Sequence, residues 1–192
     1  MNPSPYRHIP NTLTLLRIAM VPWLGWTLWK GEWSWALGIL LAAGLSDALD
    51  GYLARRFHWR SRFGAALDPL ADKLMLMTAF ATLAANGAAP TWLAFLVLWR
   101  DGLILYGVVH FFLTRGPLPM RPTLLGKTTT AAQIFYGVCL IILNWLGMVA
   151  LSQNPILIAP IVALTIFSGL DYIRIWWGDM QAVPPRRVRP QV

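Results

Sequence analysis

The sequence has 192 residues, of which 57% are hydrophobic and only 12% are charged, a composition that favours a membrane protein over a soluble domain. Lys and Arg outnumber Asp and Glu by 16 to 8, and on so apolar a chain this excess indicates contact with anionic lipid headgroups or an anionic substrate. No nucleic-acid partner is expected, because the composition leaves no compact soluble module to read a groove. The single cysteine, Cys139, lies in an apolar stretch and so excludes a disulfide framework and a thiol metal site.

Six apolar segments follow one another along the chain. A hydrocarbon core about 30 Å thick requires about 20 predominantly apolar residues per helix, and segments of that kind lie at 12–29, 34–54, 65–85, 91–113, 128–147 and 155–177. The connections between them are short. The sequence therefore predicts an all-α, polytopic membrane bundle of six transmembrane helices over residues 1–180, followed by a basic Pro/Arg-rich cytoplasmic tail at 181–192.

The basic residues between the segments predict how the bundle is oriented. Lys and Arg collect in cytoplasmic loops, and here they concentrate before the first segment, in the second and fourth connections, and in the tail. They are Arg7, Arg55, Arg56, Arg60, Arg62, Arg115, Arg121, Lys127, Arg186, Arg187 and Arg189. Both termini are therefore expected to be cytoplasmic, in a multi-pass protein of a bacterial inner membrane.

Four of the eight acidic residues lie in one stretch, SDALDGYLARRFHWRSRFGAALDPLADK. Ionisable groups inside a span are costly and usually functional. Asp47 and Asp50 are three residues apart and Asp68 and Asp72 are four apart, so each pair lies on one face of its helix. We expect the two helices to pack as an antiparallel hairpin, with the four carboxylates converging near the cytoplasmic interface.

Carboxylates without His or Cys favour hard cations such as Mg²⁺ or Mn²⁺. Two such ions would offset the repulsion between the carboxylates and would also clamp a diphosphate. The small residues Gly51, Ala54 and Gly64 favour an open inner face. The alternative is a set of structural ion pairs among Asp47, Asp50, Asp68, Asp72, Arg55 and Lys73, and it is disfavoured because ion pairs would not require those small residues.

The pattern D-x2-D-G-x2-A-R-x8-G-x3-D-x3-D, which runs from Asp47 to Asp72, is identical to the signature of the CDP-alcohol phosphatidyltransferase family, and the chain resembles this family over most of its length. The resemblance implies transfer of a phosphatidyl group from CDP-diacylglycerol to an alcohol with release of CMP, by a homodimer that uses two Mg²⁺ or Mn²⁺ ions and faces the cytoplasm. It implies that the metals are bound by Asp47, Asp50, Asp68 and Asp72.

The resemblance also implies roles for other residues. Asp72 would serve as the catalytic base that takes the acceptor's hydroxyl proton. The CDP-diacylglycerol contacts would come from Gly51, Arg55, Ser61, Ala54, Gly64, Asn11 and Thr14.

The resemblance leaves two candidate acceptor alcohols. The segments at Arg100-Asp101 and Arg121-Pro122-Thr123 look most like cardiolipin synthases of this family, whose acceptor is phosphatidylglycerol. The segment from Gly126 to Gln133 is also similar to phosphatidylglycerophosphate synthases, whose acceptor is glycerol 3-phosphate. Both acceptors are anionic, as is inositol phosphate, whereas serine and choline would not require a basic pocket. We expect the acceptor to be bound by Lys73, Arg100, Arg121 and Lys127.

A cation transporter is the alternative from another functional class, because intramembrane carboxylates also mark ion paths. It would predict acids spread through several helices or broken helices in repeated halves, and the sequence shows neither. Asp171 and Arg174, three residues apart, are expected to pair with each other or with a neighbouring helix. The role of Asp101 is left open.

Overall fold

The computed structural model describes residues 9–56, 62–115 and 123–182, and throughout these ranges the chain is helical with short turns. The helices are α1 (Ile9–Lys30), α2 (Trp33–Arg56), α3 (Arg62–Ala85), α4 (Thr91–Arg115), α5 (Leu124–Trp145), α6 (Val149–Ser152) and α7 (Pro155–Ala182). The all-α prediction is confirmed for the described residues. The predicted tail lies almost wholly outside them, since only its first two residues belong to α7.

The six long helices coincide with the six predicted segments. Their ends differ from the prediction by five residues or fewer, and the largest difference is at α7, which ends at Ala182 instead of residue 177. Helix α5 begins before Lys127 because the Thr123 hydroxyl accepts a hydrogen bond from the backbone N–H of Gly126 at 2.9 Å. A threonine in this position caps a helix, so Lys127 lies in the first turn of α5.

Glycines in the left-handed conformation follow three of the long helices, and one of them is Gly87 after α3, with a φ of 79°. Gly31 follows α1 with a φ of 70° and Gly147 follows α5 with a φ of 72°, a region that L side chains adopt only with strain. After Gly31 the backbone N–H of Glu32 donates to the carbonyl of Thr27 at 2.9 Å. This bond satisfies a terminal carbonyl of α1 and turns the chain into α2 within a few residues.

Among the described residues, three helical stretches are long and apolar enough to cross a membrane: Thr91–Phe111, Leu124–Trp145 and Val149–Ala182. This finding indicates a membrane protein, with fewer clear spans than the six predicted. In α2 a shorter apolar helical stretch, Trp33–Leu49, is found in the described residues, and it includes Asp47 of the signature segment.

The chain divides into two compact units, the first formed by Met1–Ala94 with Gly137–Gln153 and the second by Phe95–Tyr136 with Asn154–Val192. In the first unit α1 packs against both α2 and α3. A Cβ added at Gly25 of α1 would lie 3.1 Å from Cγ2 of Thr78 on α3, so the two helices approach closely. Further along, the Asn86 side-chain amide donates to the carbonyl of Leu28 at 2.8 Å.

In the second unit polar side chains link α5 to α7. The Gln133 amide donates to the Thr165 hydroxyl at 3.0 Å, and the Thr129 hydroxyl donates to the Leu164 carbonyl at 3.2 Å. The side chains of Gln133, Thr129 and Thr165 are buried. Each hydrogen bond satisfies a polar group that would be costly to leave unpaired in an apolar interior. These bonds therefore hold α5 and α7 in a defined register.

Candidate active site

Asp47 of α2 and Asp72 of α3 converge on one side chain, Arg17 of α1. The Arg17 Nη2 lies 3.0 Å from Oδ1 of Asp47, and Nη1 lies 2.9 Å from Oδ1 of Asp72 and donates a hydrogen bond to it. The expected convergence of the signature carboxylates is therefore seen for these two residues. The group that brings the two carboxylates together is the guanidinium of Arg17, which comes from a third helix.

The three side chains of this cluster, Arg17, Asp47 and Asp72, differ in how far they are exposed to solvent. Arg17 is only 2% exposed, whereas Asp47 and Asp72 are 50% and 48% exposed. The guanidinium thus lies behind the carboxylates, and the carboxylates retain an accessible side. A buried guanidinium is retained at low cost only when it is paired, and the two aspartates supply that pairing.

The other signature residues lie on the same two helices. Asp50 is three residues after Asp47 on α2, and Asp68 is four residues before Asp72 on α3. Several predicted site residues have side chains or positions outside the described part of the chain: Asp50, Gly51, Ala54, Arg55, Ser61, Gly64, Asp68 and Asn11. Within the described part no three His, Cys, Asp or Glu side chains come close enough together to hold a metal, so the four-aspartate metal site stays a prediction.

The two described carboxylates fit what a hard divalent cation requires. Their atoms are all oxygen donors, as Mg²⁺ and Mn²⁺ prefer, they come from two helices to one place, and about half of each side chain is accessible. A cation bound there would meet ligands that are held by a rigid guanidinium. The arrangement is therefore suited to metal binding beside an anionic substrate.

The other residues that were predicted to contact the donor or the acceptor differ in how far they are buried. Thr14, which lies three residues before Arg17 on α1, is 1% exposed. Lys73 is partly buried and has an interaction partner, whereas Lys127 is exposed. Arg121 lies outside the described residues. None of these positions tests the predicted substrate contacts, which stay predictions.

Arg100 lies in a second polar cluster, in the other compact unit. It is 4% exposed, and its Nη1 donates to Oδ1 of Asp101 at 2.7 Å. Its Nη2 donates to the Ser168 hydroxyl and, at 3.5 Å, to the carbonyl of Gly126. The guanidinium carbon also lies 5.8 Å from the centre of the Tyr172 ring. Both terminal nitrogens of Arg100 are thus engaged by the protein, while direct acceptor binding by Arg100 stays a prediction.

Sequence reasoning did not identify Arg17 as a partner of the aspartates, and the ion pairs that it considered did not include this residue. The available signal was a lone arginine within an apolar segment, three residues after Thr14 and therefore on the same helix face. Asp171 and Arg174 were expected to pair with each other or with a neighbouring helix, and the ion pairs among the described residues do not join these two to each other.

Comparisons with known proteins agree with the signature. The sequence model described as CDP-alcohol phosphatidyltransferase matches residues 7–175. The human "Cardiolipin synthase (CMP-forming)" is 30% identical over 91% of this chain and 58% of its own length, and the Streptomyces coelicolor protein of that name is 32% identical over 94% and 83%. A "Probable phosphatidylglycerophosphate synthase" of Mycobacterium tuberculosis is 32% identical over 86% and 80%.

The match extends over nearly all of this chain but only part of some relatives, since it spans 58% of the human protein and 55% of the rat protein. The matched region contains Arg17, the complete signature and the cluster around Arg100. With most of its residues matched to the family, the chain belongs to the CDP-alcohol phosphatidyltransferase family.

Proposed function

We propose that this protein transfers a phosphatidyl group from CDP-diacylglycerol to a glycerol-phosphate-type alcohol and releases CMP. The observation that carries the proposal is the convergence of Asp47 and Asp72, from the two signature helices, on the buried Arg17. Family membership supports the reaction class. The proposal also places all six long helices in the membrane, with the site facing the cytoplasm, and treats the protein as a homodimer.

The proposed reaction is a direct displacement. The acceptor's hydroxyl oxygen forms a bond to the β-phosphorus, the bond from that phosphorus to CMP breaks, and CMP leaves with the bonding electrons. Asp72 takes the hydroxyl proton, since a base must lie within hydrogen-bond reach of the attacking group. Two divalent cations, held by Asp47, Asp50, Asp68 and Asp72, would stabilise charge on the attacking and leaving oxygens.

The residues of the chain supply orientation and charge. Arg17 holds Asp72 through Oδ1, which fixes the proposed base in one orientation. Gly51, Ala54 and Gly64 would leave room for the diphosphate, and Arg55 would donate hydrogen bonds to it. Most of the rate acceleration in such a site comes from positioning and electrostatic stabilisation.

Phosphatidylglycerol is the favoured acceptor, so the product would be cardiolipin. Similarity to the proteins named cardiolipin synthase supports this choice. Glycerol 3-phosphate is the second candidate, because the relative named probable phosphatidylglycerophosphate synthase is as similar in identity, at 32%, as the Streptomyces coelicolor protein. Both acceptors present a phosphate to the basic residues Lys73, Arg121 and Lys127.

The acceptor is identified by incubating the purified full-length protein with CDP-diacylglycerol and either phosphatidylglycerol or glycerol 3-phosphate. We expect CMP release and cardiolipin formation with phosphatidylglycerol, measured by mass spectrometry of the lipid products. Phosphatidylglycerophosphate formed instead would establish the alternative. Asp179→Asn, which changes a carboxylate outside the signature, is the matched control and should retain the parent rate.

Metal dependence is a separate expected result. Removing divalent cations with a chelator should abolish CMP release, because four neighbouring carboxylates cannot bind a diphosphate without compensating charge. Excess Mg²⁺ or Mn²⁺ should restore the activity. Turnover that continues undiminished in chelator would contradict the proposed metal site.

A further inference from the structure

Arg17 is the largest fully buried side chain in the described part of the chain. A structural ion pair between two helices needs only one carboxylate, yet this guanidinium contacts two, from two different helices. Its two Nη atoms lie in one rigid plane, so the two carboxylates are fixed relative to that plane and to each other. A flexible ammonium group could not impose the same geometry.

The exposure of the three side chains indicates what this geometry serves. If the cluster only tied helices together, the carboxylates would be expected to be as enclosed as the arginine. Instead, Arg17 is buried and about half of each carboxylate is accessible. The guanidinium engages one oxygen, Oδ1, of each aspartate.

From this arrangement we infer that Arg17 is a positioning residue for metal binding: it sets the orientation and spacing of Asp47 and Asp72 for a divalent cation. The inference rests on the proposed function, which assigns both aspartates to the metal site. Groups that hydrogen-bond to metal-binding carboxylates typically change metal affinity by about 10–100-fold when they are removed. Arg17 itself would not contact the cation, because like charges repel.

Charge and geometry make opposite predictions for this residue. If Arg17 acted only through its positive charge, removing that charge would strengthen cation binding, and Arg17→Lys would resemble the parent protein. If Arg17 acts by positioning, both Arg17→Met and Arg17→Lys should weaken cation binding, because neither side chain presents donors to the two carboxylates in one rigid plane. The sign of the change therefore separates the two roles.

The test measures Mn²⁺ binding to the purified full-length protein by electron paramagnetic resonance, without substrate or turnover. We expect Arg17→Met to weaken Mn²⁺ binding by about 10–100-fold, and Arg17→Lys to weaken it by a smaller factor within that range. Lys30→Met is the matched control, because it removes an exposed cation from the same helix, and it should leave Mn²⁺ affinity unchanged. A thermal unfolding curve for each variant shows whether it is folded, and Mn²⁺ affinities are compared only among folded variants.

Unchanged or increased Mn²⁺ affinity in folded Arg17→Lys would overturn the inference and leave the proposed function standing. Equal losses in the Lys30→Met and Arg17 variants would also overturn it. A parent protein that binds no Mn²⁺, or whose Mn²⁺ binding survives Asp47→Asn, would overturn both the inference and the proposed metal site. Lower thermal stability with unchanged Mn²⁺ affinity would assign Arg17 a purely structural role.

Discussion

Replacing Asp72 with asparagine should lower the rate of phosphatidyl transfer by about 10²–10⁴-fold, the usual effect of losing a general base. Asparagine keeps an oxygen that can accept the hydrogen bond from Arg17, which in the parent reaches Oδ1 of Asp72 at 2.9 Å. The local geometry should therefore persist, and CDP-diacylglycerol affinity should be largely retained. Transfer rates and donor affinity, measured at several metal concentrations, provide the check.

The Asp50→Asn variant should behave differently from Asp72→Asn. It removes charge from the proposed metal site, so both donor affinity and turnover should fall, and higher metal concentrations should partly restore them. Transfer by Asp72→Asn at near the parent rate would show that Asp72 is not the base. A water molecule or a substrate phosphate would then have to take the proton.

Separating Arg100 from Asp101 should produce the largest loss of stability. The two side chains are 4% and 1% exposed, and removing one partner of a buried ion pair typically costs about 3–5 kcal/mol, because the other charge is left uncompensated. We expect both Arg100→Met and Asp101→Asn to lower the free energy of unfolding in detergent by this amount. The Ser168 and Gly126 contacts of Arg100 would be lost only in the first variant.

The double variant Arg100→Met/Asp101→Asn tests the same ion pair by non-additivity. It should be less destabilised than the sum of the two single changes, because no unpaired charge is left in the interior. Lys127→Met, which alters an exposed cation, should change the free energy of unfolding little. Single variants at 100 and 101 that unfold like the parent protein would show that this pair contributes nothing to stability.

The helices could be predicted from the sequence because apolar segments of membrane length are a local signal. The start of α5 was placed too late, since a lysine in an apolar run resembles a boundary, whereas the Thr123 cap decides where the helix begins. The short α6 was not predicted, because Val149–Ser152 is a single turn without periodicity of its own. Membrane crossing by α1 to α3 stays a prediction.

The spacing of residues along the sequence is enough to identify the aspartates of the candidate site, but not the side chains that form ion pairs with them. Asp47 and Asp72 follow from a pattern within one stretch of sequence, while the contact between Arg17 and Asp72 joins residues 55 positions apart. The contact between Arg100 and Ser168 joins residues 68 positions apart. Such pairs depend on how helices are placed beside one another, and helix periodicity carries no information about that placement.

The close approach of Gly25 on α1 to Thr78 on α3 affects how Arg17 and Asp72 lie relative to each other elsewhere on the same two helices. Helices α1 and α3 run in the same direction, since Arg17 meets Asp72 at one point and Leu28 meets Asn86 further along. Gly25 is eight residues from Arg17, or about 12 Å along the helix axis. A Cβ at Gly25 would lie 3.1 Å from Cγ2 of Thr78, so a larger residue there requires either the Thr78 side chain or the two helices to shift. The separation of the α1 and α3 axes at this crossing is thus a mechanical determinant of how Arg17 and Asp72 align.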